Sequence, residues 1–361
     1  MLKKILTPGI HWLFIFIPIS LVLEHNEVSA PLIFFSAALS IIPIARLIGS
    51  STEHLATYTG DAVGGLLNAT FGNLPELIIA LVALKAGLHT MVLASLVGAI
   101  LANLLLATGL SFLVGGLRYH NQDYNATSVR VYSSMMMIAV ISLTIPSGFH
   151  LLTSGQPVVD SENTLNLYLA AVLLIGYVLY LFFMIKTHPD FFQSESGGGE
   201  EEHEDRWSLP RALITLVIAS VLAAYMSEVL VGAAEETGKV MGMSTVFIGM
   251  IFLAIVGGAA ESISAITMAS KNKMDLSLGI AVGSSIQIAL FVAPVLVIFS
   301  TFIGPHQMNL AFPRPLIVAM FLAVILTTII AGDGRSNWYK GVQMIMVYVI
   351  MGMMLYFIPA P

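Results

Sequence analysis

The sequence predicts an all-α, polytopic membrane protein with about eleven transmembrane helices. Of its 361 residues, 57% are hydrophobic and only 10% are charged, whereas about a quarter of the residues in soluble domains are charged. The mean hydropathy is +0.90. The apolar residues form continuous blocks that can cross a hydrocarbon layer of about 30 Å as helices, without the alternation of barrel strands. These three observations favour a helical bundle in a bilayer.

Eleven apolar windows are typical of spanning helices. The first window follows Lys3 and Lys4 and precedes Val28-Ser29-Ala30, which resembles a signal-peptide cleavage site. We interpret this window instead as a retained first helix. The windows lie near residues 10–23, 31–49, 62–84, 91–117, 131–152, 164–185, 210–231, 244–270, 276–301, 313–331 and 340–358.

Lysine and arginine are distributed unevenly between the predicted loops. With the N-terminus inside, twelve of the fifteen basic residues lie in inner loops, and only Lys85, Lys239 and Arg314 lie outside. Because cytoplasmic loops carry an excess of Lys and Arg, this distribution predicts a cytoplasmic N-terminus and an external C-terminus.

A polar, acidic segment separates the sixth and seventh windows. It contains Gly197-Gly198-Gly199, followed by four glutamates and Asp205. Such charge runs are typical of solvated linkers, although a cation-collecting or regulatory strip would look the same. The compact chain and short linker favour the inner (plasma) membrane of a prokaryote. The predicted domains are an extra transmembrane helix (1–30), a first five-helix repeat (31–186), the acidic cytoplasmic linker (187–209) and a second five-helix repeat (210–361).

The two predicted repeats carry matching motifs. In the first, Glu76 ends Gly72-Asn73-Leu74-Pro75-Glu76, and Gly98 follows 22 positions later. In the second, Glu261 ends Gly257-Gly258-Ala259-Ala260-Glu261, and Gly283 follows at the same interval. Because five is an odd number of spans, the second repeat enters the membrane from the opposite side. The sequence therefore predicts inverted-topology repeats, the architecture of many secondary transporters.

The two motif glutamates are the predicted ion- and proton-binding residues. Glu76 lies in window 62–84 and Glu261 in window 244–270. An acid inside a membrane is costly unless it is paired, neutralised or facing water, so it is a functional candidate by default. Two such acids at matching repeat positions predict a shared cation site.

Neutral oxygens near the motifs fit a hard cation, because calcium takes six to eight oxygen ligands. Asn68 shares a helix face with Glu76, and Pro75, which has no N–H, frees the carbonyl of Phe71. Interhelical hydrogen bonding is an alternative role for the other amides and hydroxyls. The remaining supporting candidates are Asn73, Asn103, Ser284 and Gln287, and the motif glycines, which let helices approach closely, are Gly72, Gly257 and Gly258.

Two further acids lie near opposite ends of their windows. Glu53 follows the second window, and Glu228 lies toward the end of the seventh. They occupy roughly inverse-related places and would either line two access paths or face interfacial water.

These motifs resemble those of the cation/proton exchangers (CAX) of the calcium/cation antiporter superfamily. The resemblance is carried by Gly64-Gly65-Leu66-Leu67-Asn68-Ala69-Thr70-Phe71 with Gly72-Asn73-Leu74-Pro75-Glu76-Leu77-Ile78, and by Gly257 to Glu261 with Gly283-Ser284-Ser285-Ile286-Gln287. It implies that Glu76 and Glu261 bind calcium and protons in turn, assisted by Asn103, Ser284 and Gln287. The chain departs from the family pattern in that Gly258 replaces an Asn, Ser262 a His and Ala99 a common serine.

The predicted function is calcium export in exchange for protons by alternating access. Two carboxylates in one dry cavity cannot both stay ionised, because desolvation and mutual repulsion disfavour the doubly charged state. One divalent cation or two protons would neutralise them. Calcium, or a related hard cation, and protons are then transported ions, no cofactor is expected, and homo-oligomerisation is left open.

Other function classes fit less well. An intramembrane metalloprotease would need the motif His-Glu-x-x-His on a helix, and none of the nine histidines belongs to such a motif. A nucleotide-driven pump would need a phosphate-binding glycine loop with a lysine, which is also absent, so an enzyme is not expected. A sodium/calcium-type exchanger is the nearest alternative, and a cation channel is a more distant one.

Overall fold

Long apolar helices make up almost all of the computed structural model, which describes residues 9–59, 64, 67, 70–153, 159–189 and 207–357. Its helices are α1 (Ile10–His25), α2 (Ala30–Ala56), α3 (Leu74–Lys85), α4 (His89–Tyr119), α5 (Ala126–Thr153), α6 (Val159–Thr187), α7 (Leu209–Met241), α8 (Thr245–Gly257), α9 (Ala259–Ser270), α10 (Met274–Phe299), α11 (Arg314–Ala331) and α12 (Trp338–Tyr356). A two-stranded antiparallel ribbon pairs β1 (Asn121–Asp123) with β2 (Arg335–Asn337).

The predicted all-α membrane fold is confirmed. Within the described ranges, eight helices are long and apolar enough to cross a membrane, and the bent pair α8 and α9 makes a ninth span. These nine coincide with nine of the eleven predicted windows. The first window corresponds to the shorter α1, and the third corresponds to α3. Part of the segment before α3, including Asn68, lies outside the described residues. The acidic run 200–205 also lies outside them.

Burial separates central helices from peripheral ones. The apolar window of α4 is 89% buried and that of α10 is 72% buried, whereas those of α5 and α6 are 28% and 33% buried. Bulky apolar side chains such as Val172, Ile175 and Leu179 of α6 are exposed. In a bilayer such a surface faces lipid, so α4 and α10 form the centre of the bundle and α5 and α6 lie at its rim.

Glycines let α4 and α8 cross with their backbones in contact. A Cβ added at Gly98 of α4 would collide with the carbonyl oxygen of Met250, and one added at Gly249 of α8 would lie 2.5 Å from the carbonyl oxygen of Met91. Small residues allow this close approach between membrane helices. The crossing brings the middle of α4 against the segment that leads to Glu261.

The backbone repeats at an interval of 185 positions, the interval between Glu76 and Glu261. Helices α3 and α9 each contain 12 residues and start at equivalent positions. Each ends in the same hydrogen-bonded turn, in which Gly87 (φ 77°) and Asn272 (φ 60°) are equivalent and left-handed. The break between α8 and α9 at Gly258 bends the chain by 57°. The span predicted over 244–270 is therefore a broken one, because Gly257-Gly258 interrupts the helix.

The short helices α3 and α9 point in opposite directions. The C-terminus of α3 leads through a tight turn into the N-terminus of α4. The C-terminus of α9 lies at the other end of α4, where Arg118 and Tyr119 donate hydrogen bonds to the carbonyl oxygen of Ser270. Helix α4 has 31 residues and is about 46 Å long. The two motif helices therefore start near the middle of the bundle and run to opposite faces, as inverted repeats require.

We predict that Gly98→Ala lowers stability, because the added methyl group would push the backbones of α4 and α8 apart. Overpacking of this kind typically costs about 1–3 kcal/mol. The measurement is the thermal unfolding midpoint in detergent. Gly283→Ala is the matched control, since Gly283 is the repeat equivalent of Gly98 and an added Cβ meets no described atom within 4 Å. Equal midpoints for the two variants would contradict the close crossing.

Candidate cation site

Both motif glutamates lie in the first turn of a helix that starts inside the bundle. Asn73 is the N-terminal cap of α3 and precedes Glu76 by three residues, and Gly258 holds the same place before Glu261 in α9. Pro75 lies in the first turn of α3, where its missing N–H breaks no helical hydrogen bond. The N-terminal ends of helices carry partial positive charge, so each carboxylate is placed where a negative charge is favoured.

Three of the four carboxylate oxygens of the pair are buried and lack a partner among the described residues. Neither Oε1 nor Oε2 of Glu76, nor Oε2 of Glu261, is hydrogen-bonded within the described part of the chain. The two carboxylates are close enough to interact electrostatically. Burying charged oxygens without a partner costs free energy. Protons or a cation bound at the two carboxylates would lower that cost.

The side chain of Glu76 reaches across to the motif of the other half. A Cβ added at Gly257 would lie 2.9 Å from Cγ of Glu76, and one at Gly258 would lie 3.5 Å from its Oε1. Gly257 and Gly258 therefore make the room into which Glu76 extends. The structure brings the two predicted motifs together at one place.

A hydrogen-bonded chain of amides and one hydroxyl lies beside the glutamates. The amide nitrogen of Asn73 donates to the carbonyl oxygen of the Gln287 side chain. Ser284 Oγ donates to Asn73 Oδ1 (2.7 Å) and accepts from Asn103 Nδ2 (3.0 Å). Four predicted supporting residues, which come from both halves of the chain, thus form one network that fixes α3 to α4 and α10.

The central helices widen beside this network. Residues Ala102–Ala107 of α4 and Ile288–Val292 of α10 form π-helical turns at equivalent repeat positions. Thr108 Oγ1 donates to the displaced carbonyl of Asn103 at 2.8 Å. Such turns occur frequently at functional sites, and nothing in the hydrophobic pattern indicated them.

A small cavity of about 10 Å³ lies against Glu76. That volume is close to the smallest that can hold one water molecule. Its walls are mostly apolar and come from α3, α4, α8 and α10, with Ser95 as the other polar residue. The lining residues are Glu76, Ile79, Ala80, Ser95, Leu96, Ala99, Leu253, Ala254 and Ile288.

The arrangement suits a cation held by two carboxylates and neutral oxygens. In the ranges that the structure describes, no three His, Cys, Asp or Glu side chains cluster in a way that could hold a metal. Transition-metal sites are usually built from such clusters, whereas calcium and related hard cations accept amide, hydroxyl and carbonyl oxygens. Two acids with neutral oxygens beside them fit the second kind of cation.

The remaining predicted residues precede α3, belong to α2 and α7, or lie outside the described part. Phe71 and Gly72 precede the cap of α3, and Asn68 lies outside the described residues. Glu53 lies near the end of α2 and is exposed. Glu228 of α7 pairs with Lys85 at 3.1 Å on the wall of a cleft of about 360 Å³ at the C-terminal end of α3.

The residues that anchor α9 were not predicted from the sequence. Gln122 of β1 is buried, and its amide nitrogen donates to the carbonyl of Ala269 and to Asn272 Oδ1, both at 2.9 Å. The backbone N–H of Asn125 donates to Asp275 Oδ1 at 2.7 Å. Gln122 lies in β1 and Asp275 in the first turn of α10, far apart in sequence, so no periodic signal could have indicated these contacts.

We predict that Ser284→Ala destabilises the protein, because it leaves Asn73 Oδ1 and Asn103 Nδ2 without their shared partner. An unsatisfied buried polar group costs about 1–3 kcal/mol. Ser285→Ala is the control, since Ser285 Oγ donates only to Ala281 of its own helix at 3.2 Å. The readout is the melting temperature in detergent, and an equal decrease for both variants would speak against the network.

Comparisons with known proteins show the family of the chain. The family model described as sodium/calcium exchanger protein matches residues 29–186 and 211–357. The chain is 44% identical over 337 residues to the Ca²⁺/H⁺ antiporter ChaA of Bacillus subtilis (strain 168), covering 93% of this chain and 95% of that protein. It is 41% identical over 362 residues to the Ca²⁺/H⁺ antiporter of Aphanothece halophytica, covering 96% of each.

A solved structure shows the same fold. The structure of native YfkE matches with a TM-score of 0.82 and 40% sequence identity, over 96% of this chain and 100% of that one. A family match over both halves and relatives of this similarity exclude an enzyme as the class of the protein. The chain belongs to the sodium/calcium exchanger family, within its Ca²⁺/H⁺ antiporter (CAX) branch, and is a multi-pass membrane transporter.

Proposed function

We propose that this protein exports calcium in exchange for protons, and that Glu76 and Glu261 form the site for which the two ions compete. The observation that carries the proposal is the meeting of two glutamates from oppositely directed helices, with three of their four carboxylate oxygens buried and without a partner among the described residues. The relatives described as Ca²⁺/H⁺ antiporters support calcium and protons as the transported ions.

Competition follows from charge. Two ionised carboxylates in a dry site repel each other and lose hydration. One calcium ion, or two protons, removes that cost, but both cannot bind together because a protonated carboxyl is a poor metal ligand. The doubly charged site without an ion is the costly state. It should therefore resist the change between inward-facing and outward-facing forms, which couples calcium movement to proton movement.

The two halves supply the alternating access. Because α3 and α9 run to opposite faces, each links the site to a different side of the membrane. The cleft lined by Lys85 and Glu228 lies at the C-terminal end of α3. The opposite end, at the C-terminus of α9, is held by Gln122 and Arg118. Rocking of one half against the other around a fixed site is the usual mode in inverted-repeat transporters.

The proposed supporting ligands are the neutral oxygens of the network. Hydrogen bonds hold these residues in place beside the glutamates; they are Asn73, Asn103, Ser284 and Gln287. Asn68 and the carbonyl of Phe71 complete the set expected from the sequence. Glu53 and Glu228 would line the inner and outer access paths, and Gly72, Gly257 and Gly258 give the backbone the room that the site needs.

The proposed location is the plasma membrane of a prokaryote, with a cytoplasmic N-terminus. The excess of basic residues in the predicted inner loops supports this orientation. In this orientation, the end of the bundle that contains Lys85 faces the outside of the cell, and the β1–β2 ribbon faces the cytoplasm. The acidic segment between the repeats would then be cytoplasmic. A homo-oligomer is compatible with the exposed apolar rim, but the site is complete within one chain.

We predict that Glu76→Gln and Glu261→Gln each abolish calcium uptake into proteoliposomes under an imposed pH gradient, because a single carboxylate cannot balance a divalent cation. The fold should be retained, and the size-exclusion profile and melting temperature of each variant test this. Glu236→Gln is the control, since Glu236 is exposed on α7. Normal exchange by either site variant would refute the proposed pair.

We predict that wild-type exchange runs on protons without sodium. Calcium flux driven by a pH gradient should persist in sodium-free buffer on both sides, and calcium movement should be accompanied by opposite proton movement, followed with a pH-sensitive dye. A strict sodium requirement would favour the sodium/calcium-type exchanger. Calcium flux without counter-movement of protons would favour a channel.

A further inference from the structure

The two halves of the site are chemically unequal. Position by position, Asn73, Ser284 and Gln287 correspond in the repeat to Gly258, Ala99 and Ala102. The first three residues are polar and hydrogen-bonded to one another. Their equivalents bear no polar side-chain atoms. The cap residue of α3, Asn73, therefore joins the network through its side chain, whereas the cap residue of α9, Gly258, has no side chain to do so.

Gly258 borders the same oxygens that a bound cation would contact. A Cβ at this position would lie 3.5 Å from Glu76 Oε1 and 3.7 Å from Asn103 Oδ1. It would also lie 3.3 Å from the carbonyl oxygen of Ala254, a tight but adjustable contact. A longer polar side chain at residue 258 would thus reach the carboxylate, whereas glycine supplies no side-chain ligand there.

The cavity beside Glu76 shares Glu76 and Ala254 with the surroundings of Gly258. Ala99 and Ala254 line it, and its volume of about 10 Å³ matches one water molecule. Ser95, its other polar residue, donates to the carbonyl of Val92 at 2.8 Å. Both oxygens of Glu76 are buried without a protein partner among the described residues. A water-sized ligand at this place would have a carboxylate to bind.

We propose that Gly258, together with Ala99, sets cation preference by leaving one ligand position beside Glu76 to a water molecule that enters with the cation. The site then takes partly hydrated divalent cations, so small ions that hold water tightly, such as manganese, compete well with calcium. An asparagine at 258 would replace that water with a fixed amide oxygen. Calcium accepts such all-protein coordination more readily than smaller cations do.

The test rests on the proposed calcium site but not on transport. The experiment measures how well manganese displaces bound radioactive calcium at equilibrium from the purified protein in detergent. It compares the wild type with Gly258→Asn and Gly258→Ala. We expect Gly258→Asn to raise the ratio of calcium affinity to manganese affinity about tenfold, the effect of about 1.4 kcal/mol. Gly258→Ala adds bulk without an oxygen and should leave the ratio near that of wild type.

A second variant covers the case in which Gly258→Asn fails to fold. Ala99→Ser places a hydroxyl at the wall of the same cavity with little added volume, and it should shift the ratio in the same direction by a smaller factor. An unchanged ratio in the folded asparagine or serine variants, or an equal shift in Gly258→Ala, would overturn the proposal. If the protein gives either of those results but still binds calcium and still exchanges it for protons, the selectivity proposal fails and the proposed function remains valid. Absence of binding by wild type would overturn both.

Discussion

The cost of burying two carboxylates is the constraint on which this structure depends. A charged side chain deep in a bilayer protein is tolerated only when it is paired, neutralised or solvated. In this protein the oxygens of Glu76 and Glu261 have almost no protein partners within the described residues. The fold reduces part of this cost by starting a helix at each glutamate, which directs the positive end of the helix dipole toward it. The remaining cost is what an ion or protons relieve.

Much of the fold serves to deliver these two helix starts to one place. The glycine crossing between α4 and α8 lets the two halves meet backbone to backbone. The opposite directions of α3 and α9 then give one site two routes to the surface. Asn73, Asn103, Ser284 and Gln287 hold α3 against the central helices, while Gln122 anchors the far end of α9. Transporters built from inverted repeats move one half against the other around a fixed site of this kind.

The sequence predicted the parts of the fold that follow from periodic or local signals. Long apolar windows predicted the spans. The equivalent repeat positions of Glu76 and Glu261 indicated the pair, because the predicted spans contain few acidic residues. The break at Gly258 was missed, since a hydropathy window averages over two glycines. The π-helical turns and the anchoring role of Gln122 were also missed, because they depend on contacts between residues far apart in the chain. Whether Asn68 and Phe71 act as ligands stays a prediction.

The most direct measurement is the calcium affinity of the purified protein as a function of pH. If calcium and protons exclude each other at Glu76 and Glu261, the affinity must fall steadily as the pH is lowered from about 8 to about 5, since protonated carboxyls no longer bind the metal. A single Glu→Gln change at either position should remove most of the calcium binding. Calcium affinity that stays constant across this range in the wild-type protein would contradict a shared site and, with it, the proposed competition between calcium and protons.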